Sequence, residues 1–396
     1  MTISNPTPIS SKLPPRRAEN EFYRYYAGYP IEFAQWAIEE LELPKGSVMV
    51  DPWNGSGTTM AACARLGISC QGYDLNPVMV HLARSRVASA SDIAEAEFLI
   101  DQVERSLINY HSITVSELAA AFGELPIVNK IAHSAALAAL FPYSRSLFKL
   151  QKSKNPSWYK LLDKGISQEI IRNDIFLDWR NYLNKLKSWV SNPVEGESLN
   201  LSVEQGDCRK SLGRPATFDG VLTSPPYLTR LDYVHATLPE FILLAEFDLA
   251  PDMNRLRRSM LGSPLTSSRP KHSLDRLPKN IILLLNRIAN HPSKASSTYY
   301  HRFFSTYFVD LQASMRSISK VLKTGAKACI VVQSSNYKEI EVDLASALNI
   351  LAIDSGFEHL RSVEFVSTRS MSLVNSRAHS DAQKPKKETA LFFKRI

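Results

Sequence analysis

The run Thr223-Ser224-Pro225-Pro226-Tyr227, entered from Phe218-Asp219-Gly220-Val221-Leu222, constrains this chain more than any other stretch. An apolar-leaning segment of that length ending in a polar turn predicts a buried strand. Two consecutive prolines fix φ and donate no backbone hydrogen bond, so the strand must stop at Ser224. Beyond it runs a stiff, extended loop bearing a hydroxyl, free carbonyls and an aromatic ring. Ligands bind at the carboxyl ends of strands in open parallel α/β sheets, and this loop sits at such an end.

A second strand end lies upstream. Ser47-Val48-Met49-Val50 predicts a short buried strand, and Asp51-Pro52-Trp53-Asn54-Gly55-Ser56-Gly57-Thr58-Thr59 turns it into a helix over 60–66. Glycines in a strand-to-helix turn let backbone N–H groups approach a ligand. A P-loop would end in Gly-Lys-Ser/Thr, but Thr58 stands where the lysine belongs. A dinucleotide fingerprint would place a third glycine where Met60 stands. An acidic residue opening the turn suits a ligand with a positive amino group, which Asp51 would receive directly or through water. The next strand, Ser69 to Tyr73, ends in Asp74-Leu75-Asn76-Pro77. Asp74 is placed either to accept the hydroxyls of a ribose or to cap the helix that begins near Pro77.

These features suit methylation of an exocyclic amine on a nucleobase. Such an amine is a poor nucleophile because its lone pair is delocalised into the ring. The Ser224 side chain and the Pro225 carbonyl would accept its two N–H groups, and Tyr227 would stack on the extruded base. The plainer reading of the pentapeptide is a proline-terminated strand with a buried tyrosine. Net charge is +8, which leans towards a polyanionic partner. Cys63, Cys70, Cys208 and Cys329 form no CxxC pair and no cluster with histidine, so neither a disulfide framework nor a metal is expected. No cysteine follows a proline, which disfavours the activated thiol of carbon-5 cytosine methylation. Without a secretory leader or a membrane-length apolar run, a cytoplasmic setting away from the membrane is expected.

Asp51-Pro52-x-x-Gly55-Ser56-Gly57-Thr58-Thr59 together with Thr223-Ser224-Pro225-Pro226-Tyr227 resembles the S-adenosylmethionine-dependent DNA amino-methyltransferases, which make N4-methylcytosine or N6-methyladenine. Tyr29-Pro30-x-x-Phe33 looks like the family's segment that closes over the cofactor. Val203-Glu204-Gln205-Gly206-Asp207 is similar to its third-strand end, where an acid faces the cofactor adenine. The resemblance implies a Rossmann-like α/β fold with a seven-stranded, mostly parallel sheet. It implies S-adenosylmethionine held by Asp51, Pro52, Gly55, Ser56, Gly57, Thr58, Asp74 and Asp207, with Ser224, Pro225, Pro226 and Tyr227 as the catalytic loop. A Ser at the second loop position leans towards cytosine N4; adenine N6, RNA methylation and a non-catalytic DNA-binding subunit are the alternatives. The family setting implies double-stranded DNA as partner, in a restriction–modification system whose endonuclease acts separately.

The expected organisation is a loose arm over 1–20 and a first catalytic part over 21–90. A mostly helical insertion over 91–195 and a second catalytic part over 196–227 follow. A basic insertion over 228–302 then precedes the completing part over 303–396, with its terminal antiparallel hairpin and a long exposed loop from Arg369 to Lys387. Between Asp252 and Arg302 stand ten Lys/Arg against two acids, a surplus equal to that of the whole chain. Arg255, Arg257, Arg258, Arg269, Lys271 and Arg276 are the candidate phosphate contacts. A solvated basic face is the plainer reading.

Overall fold

The strand expected before the double proline is present as Phe218–Thr223, and it lies at the centre of a seven-stranded sheet. The computed structural model describes residues 22–23, 28–148, 150–152, 159–161, 169–190, 199–210, 212–229, 231–265, 274–367 and 386–396. The arm over 1–20, Arg269, Lys271 and most of the loop expected between Arg369 and Lys387 lie outside the described residues.

In chain order the sheet contains β1 (Val48–Asp51), β2 (Ser69–Asp74), β3 (Leu201–Gln205), β4 (Phe218–Thr223), β5 (Leu322–Gln333), β6 (Phe357–Ser367) and β7 (Lys386–Arg395). Their spatial order is β3-β2-β1-β4-β5-β7-β6. Every neighbouring pair from β3 to β5 is parallel, while β7 pairs antiparallel with both β5 and β6. This is the Rossmann-like class I methyltransferase arrangement. The order reverses at β1/β4, so the carboxyl ends of those two strands frame the switch-point crevice where ligands bind.

Alternation along the strands explains the three layers. Met49, Cys70, Val203, Leu222, Cys329, Val331, Ala390 and Phe392 face a core shared with helix α1 (Ile31–Glu39) and helix α2 (Thr58–Arg65). Helix α3 (Pro77–Arg86) contributes Val80 and Ala83 to the same core. Val50, Val221, Ile330, Val332, Leu391 and Phe393 point to the opposite face and pack against other helices. A period-2 pattern of apolar residues on both faces is what a strand covered by helices on each side requires.

The helical insertion comprises α4 (Ala90–Ser106), α5 (Val115–Gly123), α6 (Lys130–Leu147) and α7 (Arg172–Trp189). Capping boxes start α4 at Ser89 and α5 at Thr114. The alanine-rich α6 is buried along most of its length, and Trp179 of α7 donates to the Ala136 carbonyl at 2.7 Å. Its core is continuous with Val78, Met79 and Leu82 of α3 and with Phe241, Leu243 and Leu244 of α8 (Leu238–Glu246).

After β4 come α8, α9 (Met253–Ser259) and α10 (Lys279–Ala289), and then α11 (His301–Val321) and α12 (Leu344–Asp354). Lys323-Thr324-Gly325 forms an irregularity inside β5. Phe218 pairs with Leu322 but Gly220 with Lys327, and Gly325 takes a positive φ of 84°. No helix among the described residues is long and apolar enough to cross a membrane.

Candidate active site

Asp51 ends β1 and is only 2% exposed. Its Oδ1 accepts the Thr223 hydroxyl at 2.5 Å and its Oδ2 accepts the Thr59 hydroxyl at 2.5 Å. Tyr29 extends the chain, its hydroxyl lying 2.6 Å from Thr59 Oγ1. One carboxylate thus joins the end of β1, the first turn of α2, the end of β4 and the segment before α1. Burial pushes the Asp51 carboxyl up to about 6, against the hydrogen bonds from Thr223, Thr59 and the Trp53 amide.

The turn after Asp51 is shaped by its backbone. Asn54 N–H donates to the Tyr73 carbonyl at 2.9 Å, and Gly57 N–H to the Asn54 carbonyl at 2.9 Å. Gly57 caps α2 at φ 83°, and a Cβ there would lie 3.0 Å from both Cα and Cβ of Ala83. Only glycine meets both demands. Gly55 N–H is taken by Asp74 Oδ2 at 2.9 Å, while Asp74 Oδ1 accepts Asn76 N–H at 2.8 Å. The helix cap after β2 is Asn76, whose side chain accepts from Val78 N–H, and Asp74 is left to staple the two turns together. Burial pushes the half-buried Asp74 carboxyl up to about 6 as well, against its backbone hydrogen bonds.

Two kinds of polar group in this turn lack an internal partner. No acceptor among the described residues takes the N–H of Ser56 or Thr58. The Asn54 side chain, 4% exposed, pairs neither its Nδ2 nor its Oδ1. Buried polar atoms are almost always satisfied, so a bound polar ligand or water is the natural complement. Spare N–H donors beside the Asp74 carboxylate suit the amino-acid and ribose portions of S-adenosylmethionine. Pro52 precedes this turn and is buried.

Asp207, two residues beyond β3, is engaged differently. Arg209 clamps it through Nε to Oδ1 at 2.8 Å and through Nη2 to Oδ2 at 2.7 Å. The same guanidinium reaches Asp310 of α11 at 2.8 Å and the Ser259 carbonyl of α9 at 2.6 Å. Burial alone would raise the Asp207 carboxyl, but Arg209 outweighs it and holds the group below the usual range. Asp207 is therefore half of a bidentate ion pair.

The loop after β4 is braced from several directions. Tyr227 N–H donates to the Tyr233 hydroxyl at 3.1 Å, and the Tyr307 hydroxyl of α11 donates to the Pro226 carbonyl at 2.8 Å. Ser335 Oγ donates to the Leu228 carbonyl at 2.8 Å. The Tyr227 hydroxyl donates to Glu388 Oε1 at 2.7 Å and accepts from Ser224 Oγ at 3.2 Å. Burial first, and the Glu388 carboxylate second, push the Tyr227 phenol well above its ordinary value. With these bonds made, the acceptors still open include the lone pairs of the half-buried Ser224 hydroxyl and the Pro225 carbonyl. Among the described residues nothing donates to that carbonyl.

The basic candidates separate by orientation. Arg255 and Arg258 are exposed on α9, and Arg276 is exposed before α10. Arg257 turns inward to Asp232, its Nη2 lying 2.7 Å from Oδ2 of a side chain only 2% exposed. That pair fastens α9 to the continuation of the β4 loop, as the Arg209–Ser259 bond fastens it to Asp207.

Sequence reasoning did not single out Glu388, Tyr233, Tyr307, Arg209 or Asp232. Each lies far in sequence from its partner or reads as an ordinary surface residue. The antiparallel run of β7 brings its third residue, Glu388, to the carboxyl edge of the parallel strands, where it is 4% exposed. No local pattern marks it.

Residues 8–85 match the model of the N6/N4 DNA methylase family. This segment includes the turn after β1 and Asp74 but ends before the β4 loop. Over 406 aligned residues the chain is 21% identical to the type II methyltransferase M.AvaI of Nostoc sp., across 88% of this chain and 81% of that protein. It is 28% identical over 119 residues to the type II methyltransferase M.BsoBI of Geobacillus stearothermophilus, across 30% of this chain and 22% of that one. A solved S-adenosylmethionine-dependent methyltransferase from Methanosarcina mazei aligns at 9% identity and a TM-score of 0.34, covering 91% of this chain and 97% of that one. That likeness is too distant to add to the strand order. The match over residues 8–85 and the similarity to M.AvaI along most of the chain support the DNA amino-methyltransferase family for this protein.

Proposed function

We propose that this chain is a DNA methyltransferase that acts on an exocyclic amine of a base in duplex DNA, the N4 amine of cytosine. The observation that carries the reading is the pair of open acceptors in an otherwise braced loop, Ser224 Oγ and the Pro225 carbonyl. Two acceptors match the two N–H bonds of an amine. Accepting both draws the nitrogen towards a tetrahedral shape and frees its lone pair. S-adenosylmethionine, when bound, supplies an electrophilic methyl group. Ser56, Thr58, Asn54 and Asp74 would hold it beside β1 and β2. Asp51 would serve both halves by fixing Thr59 and Thr223, which adjoin the cofactor turn and the amine acceptors respectively. Alignment of this kind suits a reaction that rests on positioning and polarisation.

Tyr227, tied through its hydroxyl to Glu388, offers its ring to an extruded base. A thiol nucleophile has no support, since all four cysteines are buried and burial pushes Cys208 up to about 12. Serine ahead of the double proline favours cytosine over adenine by resemblance. Arg255, Arg258 and Arg276 are placed to meet phosphates, and a type II restriction–modification setting follows from the names of the relatives.

Product identity tests the reading. The protein is incubated with methyl-labelled S-adenosylmethionine and unmethylated genomic DNA, with total RNA in parallel, and both are digested to nucleosides. Label in N4-methylcytosine is expected. Label in N6-methyladenine would reassign the base, and label confined to RNA, or none, would overturn the DNA reading.

A further inference from the structure

Glu388 belongs to neither motif and to no expected binding set, yet its carboxylate accepts from Tyr227, whose hydroxyl in turn accepts from Ser224. We propose that Glu388 is a positioning residue that makes Ser224 an acceptor-only group towards the substrate amine, acting through Tyr227. This rests on the function proposed above.

The argument follows the hydrogens. An ionised carboxylate only accepts, so the single hydrogen of Tyr227 must point to Glu388 Oε1, 2.7 Å away. The phenol oxygen then has only lone pairs to offer Ser224, whose Oγ lies 3.2 Å off. Ser224 must therefore spend its one hydrogen on Tyr227, and its own lone pairs remain for the pocket. The distinction matters because a serine hydroxyl rotates freely and can donate as readily as accept. Turned into the pocket as a donor, it would oppose the N–H bonds of the amine or bond the ring nitrogen beside it. Either outcome withdraws the acceptor that frees the amine lone pair.

The phenol keeps its hydrogen, because burial first and the neighbouring Glu388 carboxylate second hold Tyr227 well above its ordinary value. The sheet makes the contact available. β7 runs against its neighbours, so its early residues return to the edge where β4 ends, and Glu388 pairs in register with Gln333 at the end of β5. A carboxylate on one of the parallel strands would reach this edge only at its last residue.

The test compares wild type, Tyr227→Phe, Glu388→Gln and the double variant. Tyr227→Phe keeps the ring and removes only the relay hydroxyl, so it carries the test should Glu388→Gln fail to fold. Each single change is expected to slow single-turnover methyl transfer by about tenfold, the usual scale for one lost hydrogen bond. Affinities for DNA and S-adenosylmethionine should stay within about twofold. The double variant should be no slower than the slower single, because both act through one chain. Separately, 13C-tyrosine NMR, with Tyr227→Phe assigning the signal, should show Tyr227 titrating at lower pH in Glu388→Gln. Multiplying losses in the double variant, wild-type rates in the singles, or an unmoved Tyr227 titration would each overturn the relay. A wild-type protein that methylates no nucleic acid would overturn the function itself and the relay's role in it, while the NMR arm would still report whether the hydrogen-bond chain exists.

Discussion

The turn after β1 and the loop after β4 both carry residue types that read as ligand contacts, yet they are held in opposite ways. The first is shaped by its backbone, with two glycines at positive φ and N–H groups taken by nearby carbonyls or by Asp74. It leaves spare donors and an unpaired amide at Asn54. The second has no glycine, and its two prolines donate no backbone hydrogen bond. Nearby Tyr233 and the distant side chains of Tyr307, Ser335 and Glu388 hold it, and the Ser224 hydroxyl and Pro225 carbonyl keep lone pairs open among the described residues. Motif residues therefore divide into braces and contacts, and the division is invisible in the motif itself. Asp51 and Thr223 are bonded to each other and act as braces, while Ser224 and the Pro225 carbonyl are the contacts proposed above.

Substitutions can break or sharpen this contrast. The largest effect is expected for Ser224→Ala, which removes a contact and no brace. Single-turnover transfer should fall by roughly 100-fold or more, the scale of losing one preorganised polar partner, with cofactor affinity nearly unchanged. Wild-type turnover in this variant would dissolve the assignment of Ser224 as a contact.

Arg257→Ala removes a brace beneath the β4 loop and strands the buried Asp232 carboxylate. A loss of roughly 3 kcal/mol in stability is expected from denaturant titration. Arg276→Ala, at an exposed site, should leave stability unchanged, weaken DNA binding a few-fold and reduce its salt slope by about 1. Equal behaviour of the two variants would erase the distinction drawn between inward and outward arginines.

Gly57→Ala tests the backbone-shaped turn. A side chain at φ 83°, pressed to 3.0 Å against Ala83, should cost about 2 kcal/mol and weaken cofactor binding. Thermal melts and a cofactor titration read both quantities, and an unperturbed protein would mean the turn tolerates a Cβ.

The smallest effect concerns pH. Burial raises the folded-state Asp74 carboxyl to about 6, above the ~3.9 of an unfolded chain. The folded form binds the proton more tightly, so this group's contribution to stability falls as pH rises from about 4 to about 6. Asp74→Asn should remove that slope, by on the order of 1 kcal/mol after allowing for partial exposure. Stability-versus-pH curves of the two proteins that stay parallel across this window would show that Asp74 is not strained by burial.

Much of the fold was legible in the chain because its signals are local. Alternating apolar residues, two strand-ending turns and helix caps are short-range properties, and they placed β1, β2, β4 and the terminal hairpin near their observed positions. β5 is different, because Lys323-Thr324-Gly325 forms an irregularity within one long strand. Only the register with β4 decides that.

By itself the sequence determined a parallel α/β sheet, two ligand-type turns at strand ends, and the residue types that suit an amine and a cationic cofactor. Only the tertiary structure decided which of those residues are committed to one another. Asp51 spends both oxygens on threonines 8 and 172 positions away, Asp207 is clamped by Arg209, and Glu388 meets Tyr227 across 161 residues. The physical reason is that a hydrogen bond is a short-range contact made after the chain has closed long loops. Residue type states what a group can bond, and the fold alone states what it has left to offer.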